Sequence, residues 1–371
     1  MLTDLPESRS RIRVVRDLAE FERLEQQWDA FVDSVGRPSP FLVHGWLVER
    51  WRRVGDAAVV VSTRNERIVA AVPLSLARSR GVRIGAFLAG PYAGLDLPLA
   101  EGESPDVARA VLAEARRLVN VLEVFGLADD SMFERAWQGR LPLIRLSGAP
   151  VLSMEDGWET AYRRRTSSKF RNQHSRRLRR LCDVGQVEFT TARAGAELDE
   201  ALDESFRLHS LRWLARKDAD LSGYASEAGR AFHRAAARRL AERDLVRVSV
   251  LRLDGRPISF HYWFAYRKVM TVHRVAFDPA FKDYSPGILV TLRAIEEASA
   301  EGCIRVNFLR GEEEYKLRLA DEVEPVYWTA VGGPMAALRR AEMATRQRLK
   351  RSQGLRQLYD RRRRAVVTRA R

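Results

Sequence analysis

Cysteine is nearly absent: Cys182 and Cys303 are the only two in 371 residues. Two thiols cannot build a disulfide framework, and neither sits at zinc-ligand spacing from another, so a disulfide scaffold and a zinc module are excluded. Long apolar runs are missing too. The longest, Ile68 to Ala77, is interrupted by Pro73 and falls short of the ~20 residues that cross a bilayer. The N-terminal segment is charged throughout and lacks the apolar core of a secretory signal, which predicts a cytoplasmic protein. No Walker loop, no GxGxxG and no His/Cys/Asp/Glu cluster at ligand spacing occurs, so no metal is expected and a nucleotide fold of those kinds has no support.

What is present is enough for a packed protein. Hydrophobic residues make up 46% and charged residues 30%, which excludes global disorder. The length suggests about two domains. Net charge is +15, and its location changes its meaning. Residues 335–371 hold 13 Lys/Arg against Glu342 and Asp360; residues 160–180 hold nine Lys/Arg and no acid; the rest of the chain is slightly acidic.

The tail, 335–371, carries an imperfect helical stripe through Met335, Leu338, Leu349, Leu355 and Leu358. It reads as a solvated helical appendage, as an anchor on an anionic membrane, or as a contact for nucleic acid. No nucleic-acid reading module accompanies it, which sets that partner last. In the inner segment, Phe170, His174, Leu178 and Leu181 lie at helical spacing on one narrow face, Ser167 or Ser168 can cap the helix, and the other faces are nearly all Arg. Such a helix offers cations to an anion or is a solvated face.

The order of elements repeats. A helical stretch through Leu18, Trp28 and Val35 and a second helix from Phe41 to Trp51 precede strands at 57–62, 68–76 and 83–89; a helix (105–119), a strand (121–127), a short helix and a strand near Ile144 follow. The second half shows helices at 197–215 and 227–243, strands at 246–253, 256–266 and 269–277, a helix from Ser285-Pro286-Gly287 to Ala300, a strand at 303–309, a short helix and a strand at 324–331. The hairpin turns at Asn65 and Asp254 are 189 residues apart. This predicts an α/β (α+β) protein with mixed, mainly antiparallel sheets flanked by helices, divided into residues 1–154, 155–334 and a basic helical tail, 335–371.

Four motifs narrow the reading. They are Leu208-His-Ser-Leu-Arg-Trp213, Leu251-Arg-Leu-Asp-Gly-Arg-Pro-Ile258, Phe277-Asp-Pro-Ala-Phe-Lys-Asp-Tyr-Ser-Pro-Gly-Ile-Leu289, and Asn307-Phe-Leu-Arg-Gly-Glu-Glu-Glu-Tyr-Lys316. With their order, residues 160–320 resemble the GNAT acyltransferases of the CelD/BcsL type, a branch linked to polysaccharide biosynthesis and related to the FemABX transferases. The resemblance implies two tandem GNAT-like domains and an acyl-CoA co-substrate, acetyl-CoA first, whose pyrophosphate lies between strand and helix. On that basis Lys282, Tyr284, Ser285, Pro286, Gly287 and Ile288 are the expected donor-binding residues. The first domain has no counterpart to Ser-Pro-Gly beyond Gly90-Pro91-Tyr92 and is expected to support the fold. One departure stands out: the family reads Asp-Phe where this chain has Asn307-Phe308.

The residues themselves agree. A helix opening at Ser285-Pro286-Gly287 presents backbone N–H groups and its positive dipole end to an anion, or is an ordinary capped helix. In the transfer, an acceptor amine or hydroxyl attacks the thioester directly, so what is needed is a proton acceptor and a donor to the departing thiolate. Glu314, Tyr315, Lys316 and Asn307 are the catalytic candidates; Cys303 reads as core. His209, Arg212 and Trp213 share a helix face for a saccharide or cell-envelope acceptor, with Arg171 as a further contact; the bland alternative is a packed Trp213 and an ion-paired Arg212. His261 and His273, on strands, read as packed. The expected activity is N- or O-acyl transfer. The rivals are an aminoacyl-tRNA-dependent FemABX-like transferase, with tRNA as partner, and a non-catalytic scaffold held at the inner face of the membrane by its tail.

Overall fold

The computed structural model describes residues 10–351 apart from 38, 80, 93–95, 138 and 216–222. Two units follow from the contacts between residues: 1–147 with 325–346, and 148–324 with, among the described residues, 347–351. The far end of the basic tail, 352–371, lies outside the described residues. Its first part is helical.

The first unit contains strand β1 (Arg11–Val15), helices α1 (Leu18–Glu22), α2 (Glu25–Asp33) and α3 (His44–Val54), strands β2 (Ala57–Arg64), β3 (Arg67–Ser79) and β4 (Val82–Phe87), helix α4 (Pro105–Arg117), β5 (Val121–Leu127) and helix α5 (Met132–Ala136). The helical stretch expected through Val35 is two helices broken at Arg23-Leu24. The break lets Phe21 and Trp28 meet edge-on, 5.1 Å between ring centres. Strand β1 has no sequence signal beyond a short alternation, because it lies at the sheet edge and buries only Val15.

Strand β6 (Ile144–Ser153) carries the chain into the second unit. There follow α6 (Trp158–Arg165), α7 (Ser168–Cys182), β7 (Val187–Ala192), α8 (Gly195–Ala215), α9 (Glu227–Ala241), β8 (Val246–Leu253), β9 (Arg256–Tyr266), β10 (Val269–Phe277), α10 (Pro286–Ala300), β11 (Arg305–Asn307) and α11 (Glu314–Leu319). Strand β12 (Glu322–Val331) and helix α12 (Gly333–Arg351) close the described chain.

Each unit is a mixed sheet, mainly antiparallel, with helices packed on it. The strand order is β1-β2-β3-β4-β5-β12 in the first and β7-β8-β9-β10-β11-β6 in the second. The final strand of each repeat is thus exchanged. Strand β12, expected to end the second domain, pairs antiparallel with β5 (Val331 opposite Leu122), and β6 pairs with β11 (Leu152 opposite Val306). Both strands are apolar enough to serve either sheet, so composition could not reveal the exchange.

The repeat itself is close. Arg64 opposite Arg67 in the first hairpin matches Leu253 opposite Arg256 in the second, and a bulge follows Ser62 in one and Leu251 in the other, the same 189-residue offset throughout. Asn65 and Glu66 adopt φ of 49° and 62°, Asp254 and Gly255 of 49° and 74°. Both are turns whose twist suits a hairpin.

Among the described residues, the one parallel contact in each unit is three residue pairs long: β4 with β5, and β10 with β11. In the second unit β10 runs on from Thr271 to Phe277, whereas β11 stops at Asn307. The chain beyond Asn307 follows β6 instead, through Phe308 N–H to Pro150 O and Gly311 N–H to Gly148 O, both 3.0 Å. The sheet therefore splays after Thr271, leaving the free edge of β10 on one side and residues 308–313 on the other. Below it lies a core of Trp263, Met270, Val272, Ile295, Cys303, Val306 and Phe308.

Candidate active site

Helix α10 begins where β10 ends, after the short turn Pro279–Tyr284. Ser285 is its N-cap, but in the left-handed conformation (φ 52°, ψ 49°), and its side chain makes no capping hydrogen bond. Pro286 takes the first helical position and no acid stands in the first turn. A helix start with neither a side-chain cap nor an acid keeps its positive end available to an anion. Gly287 has a second reason to be glycine: a Cβ there would lie 3.0 Å from the Phe277 ring. Lys282 is exposed beside this turn, Tyr284 and Ile288 are half-buried, and the Arg180 guanidinium lies 5.5 Å from the centre of the Tyr284 ring.

On the free edge of β10, Arg212 of α8 donates from Nη1 to Val275 O (3.0 Å) and lies over the Phe277 ring, 5.4 Å from its centre. On the same helix, Trp213 Nε1 donates to His209 Nε2, one turn back, at 2.8 Å. That nitrogen is therefore an acceptor, and the pair fixes both rings. The structure thus places Arg212 on the β10 edge and pairs Trp213 with His209 on the same helix. Arg171 is elsewhere: it bonds the backbone oxygen of Thr166, at the start of its own helix.

Opposite the β10 edge, Asn307 Oδ1 accepts from Leu309 N–H (2.8 Å) and so holds Leu309 at φ 54°. The departure from Asp thereby gains a physical reading. The oxygen that Asn shares with Asp is committed to the turn, and the turn does not need the charge.

Three consecutive glutamates follow, and each takes a different direction. Glu312 accepts from Gly148 N–H. Glu313 pairs with Lys316 Nζ at 2.9 Å, and its charge pushes the Tyr315 hydroxyl further up than burial alone does. Glu314 pairs with Arg318 on the exposed face of α11. The acid that shares space with Tyr315 and Lys316 is therefore Glu313, which sequence reasoning did not choose. Glu312 precedes α11, Glu313 is its extended N-cap and Glu314 its first residue, so the local backbone sends three identical side chains in three directions.

The electrostatics assign protonation states. Burial raises the Tyr315 hydroxyl above its ordinary range, with the Arg212 charge pulling the other way, so Tyr315 is a protonated phenol at neutral pH. Burial lowers the Lys316 ammonium; Glu313 opposes this, and Arg274 and Arg310 reinforce it. His261 is fully buried, with neither ring nitrogen hydrogen-bonded, and burial together with the Lys316 charge lowers it to about 3. Burial holds His273 well below its usual value too, so both imidazoles are neutral. Burial pushes the Cys303 thiol up to about 11, which removes it as a nucleophile. Among the described residues no group of three or more His, Cys, Asp or Glu is placed to hold a metal ion, and no helix is long and apolar enough to cross a membrane.

Residues 168–317, from the first residue of α7 to within α11, match the family model described as an acetyltransferase (GNAT) domain. Among solved structures the chain is similar to FemX, with a TM-score of 0.63 at 10% identity over 85% of this chain and 98% of that one. It is also similar to L-PGS from Bacillus licheniformis (0.55, 13%, 86% and 95%). A third is a conserved protein of unknown function from Bacteroides thetaiotaomicron (0.57, 14%, 85% and 99%). At such identities the likeness is one of fold. No curated protein sequence matches the chain. Residues 168–317 of the second unit thus match a GNAT domain, and the fold is of the GNAT kind.

Proposed function

We propose that the second unit transfers an acyl group from coenzyme A, acetyl-CoA first, to an amine or hydroxyl of a saccharide or cell-envelope precursor, in the manner of the CelD/BcsL group. The uncapped start of α10 at the mouth of the splay carries this reading. It offers a positive helix end to the diphosphate and leads along the free edge of β10 to Arg212 and Tyr315. The acceptor would attack the thioester carbon directly and form the new C–N or C–O bond. The C–S bond breaks, the Tyr315 hydroxyl gives its proton to the departing thiolate, and Glu313 takes the acceptor's proton. Lys316 would hold Glu313 in place. The tail, with its 13 Lys/Arg against two acids, would rest such an enzyme on an anionic membrane surface.

Isothermal titration with acetyl-CoA tests this. Wild type binds, and Gly287→Trp, which drives an indole toward Phe277 and the helix start, loses at least about a hundredfold in affinity, while circular dichroism reports an intact fold. Absence of binding by the wild type, or unchanged binding by the variant, overturns the assignment.

A further inference from the structure

In the second unit many surface arginines are tied to carboxylates: Arg163 to Glu159, Arg193 to Glu301, Arg207 to Glu204, Arg234 to Asp203 and Arg238 to Asp199. Helix α7 breaks the rule. Lys169, Arg176, Arg177 and Arg180, with the amides of Asn172 and Gln173, line a groove of about 660 Å³ whose other wall includes Asp283 of the turn before α10. Among the described residues none of these four cations forms an ion pair with a carboxylate. The sequence of α7 contains no acid at all.

Like charges three and four residues apart on a helix repel one another. These lie along ~17 Å of helix, at 1.5 Å per residue. Such a stripe is destabilising by itself and becomes favourable when anions sit along it. Arginines on adjacent turns suit a phosphate monoester, which carries close to two negative charges. The volume falls in the ~300–1,000 Å³ range of small-molecule sites. The groove is also continuous with the donor turn, since Arg180 covers Tyr284 and Tyr284 precedes the N-cap Ser285. The amides of Asn172 and Gln173 add both donors and acceptors for a nucleobase edge.

We infer that this groove holds the nucleotide end of the donor, with Arg176, Arg177 and Arg180 binding the 3′-phosphate of its adenosine while the start of α10 takes the diphosphate. This rests on the acyl-CoA reading above and adds a specificity to it: the protein distinguishes coenzyme A from its 3′-dephospho form.

Equilibrium titrations of coenzyme A and 3′-dephospho-coenzyme A, with wild type and with the triple variant Arg176→Gln/Arg177→Gln/Arg180→Gln, test it. The three side chains line an open groove, so the variant should fold, and thermal melting checks that it has. The wild type should prefer coenzyme A by about tenfold or more, the usual worth of one charge-assisted phosphate contact. The triple variant should lose that preference, with its affinity for the dephospho form falling much less. Equal affinity of the wild type for the two ligands, or a preference that survives the triple variant, overturns the groove assignment and leaves the acyl-CoA reading intact. Failure of both ligands to bind wild type overturns both. In a further arm, deacylated tRNA competes; binding of tRNA that the triple variant abolishes, with the coenzyme A preference untouched, assigns the groove to RNA and also overturns the proposal.

Discussion

The two units solve the same passage, from the third meander strand to the following helix, in opposite ways. In the first unit seventeen residues separate β4 from α4; in the second, eight separate β10 from α10. The start of α4 is closed: Ser104 accepts from Asp106 N–H, Pro105 fills the first position, and Asp106 puts an acid in the first turn. The start of α10 is open, with a left-handed Ser285, no cap and no acid. The space after β4 is filled as well. Trp46 donates to Ala89 O at 2.9 Å, Phe41 stacks on Tyr92 with ring centres 3.9 Å apart, and Arg50 donates to Leu88 O at 3.2 Å. After β10 the corresponding edge carries Arg212 and faces Tyr315. The comparison shows how one scaffold yields a self-satisfied support and a site. The support caps its helix start and fills the space after its strand, whereas the site leaves the start of α10 without a side-chain cap or an acid.

The largest effect is expected where the first unit is filled. Trp46 is fully buried, and Trp46→Ala should cost about 3–5 kcal/mol in urea unfolding. Acetyl-CoA affinity, attributed to the second unit, should stay within about twofold. A loss of donor binding beyond what unfolding explains would break the comparison.

His261 provides the next test. At the same offset of 189 the first unit has Val72, equally buried and opposite Val60 as His261 is opposite Ser249. Burial lowers His261 from 6.5 to about 3. The folded state therefore resists a proton that the unfolded chain accepts below its ordinary value. Stability is whole above pH 6.5 and falls as pH drops toward 3, by about 1.4 kcal/mol per pH unit from this group. His261→Val, copying the first unit, should make the acid limb shallower by that amount in denaturant titrations across the window. An unchanged limb would mean that His261 is not held neutral.

Ser285→Asp sharpens the contrast at the helix start, because it gives α10 the acid that α4 already has. The helix should gain ~0.3–1 kcal/mol from charge at the positive dipole end. Donor affinity should fall about tenfold through repulsion of the diphosphate. Thermal melting and titration together read both. A variant that gains stability and keeps its donor affinity would remove the helix start from the site.

Much of this was legible in the chain. The Ser285-Pro286-Gly287 start, the Arg-rich helix with its apolar face at Phe170, His174 and Leu181, and the paired hairpin turns at Asn65 and Asp254 are local features. Spacing and turn chemistry encode them. The division of roles among Glu312, Glu313 and Glu314 was not legible, because all three are the same residue and the exact residue at which α11 begins decides which one pairs with Lys316. Nor was the pairing of β12 with β5, since an apolar strand carries no mark of its partner.

The sequence by itself determined the order of elements, the 189-residue repeat and the residues that start α10, because propensity, periodicity and turn chemistry act over a few neighbours. Only the tertiary structure decided that Glu313 faces Tyr315, that Arg212 occupies the free edge of β10, and that the cations of α7 meet the turn before α10 in one groove. Those relations join residues up to about a hundred positions apart. They exist only once the sheet has splayed and the helices have packed on it.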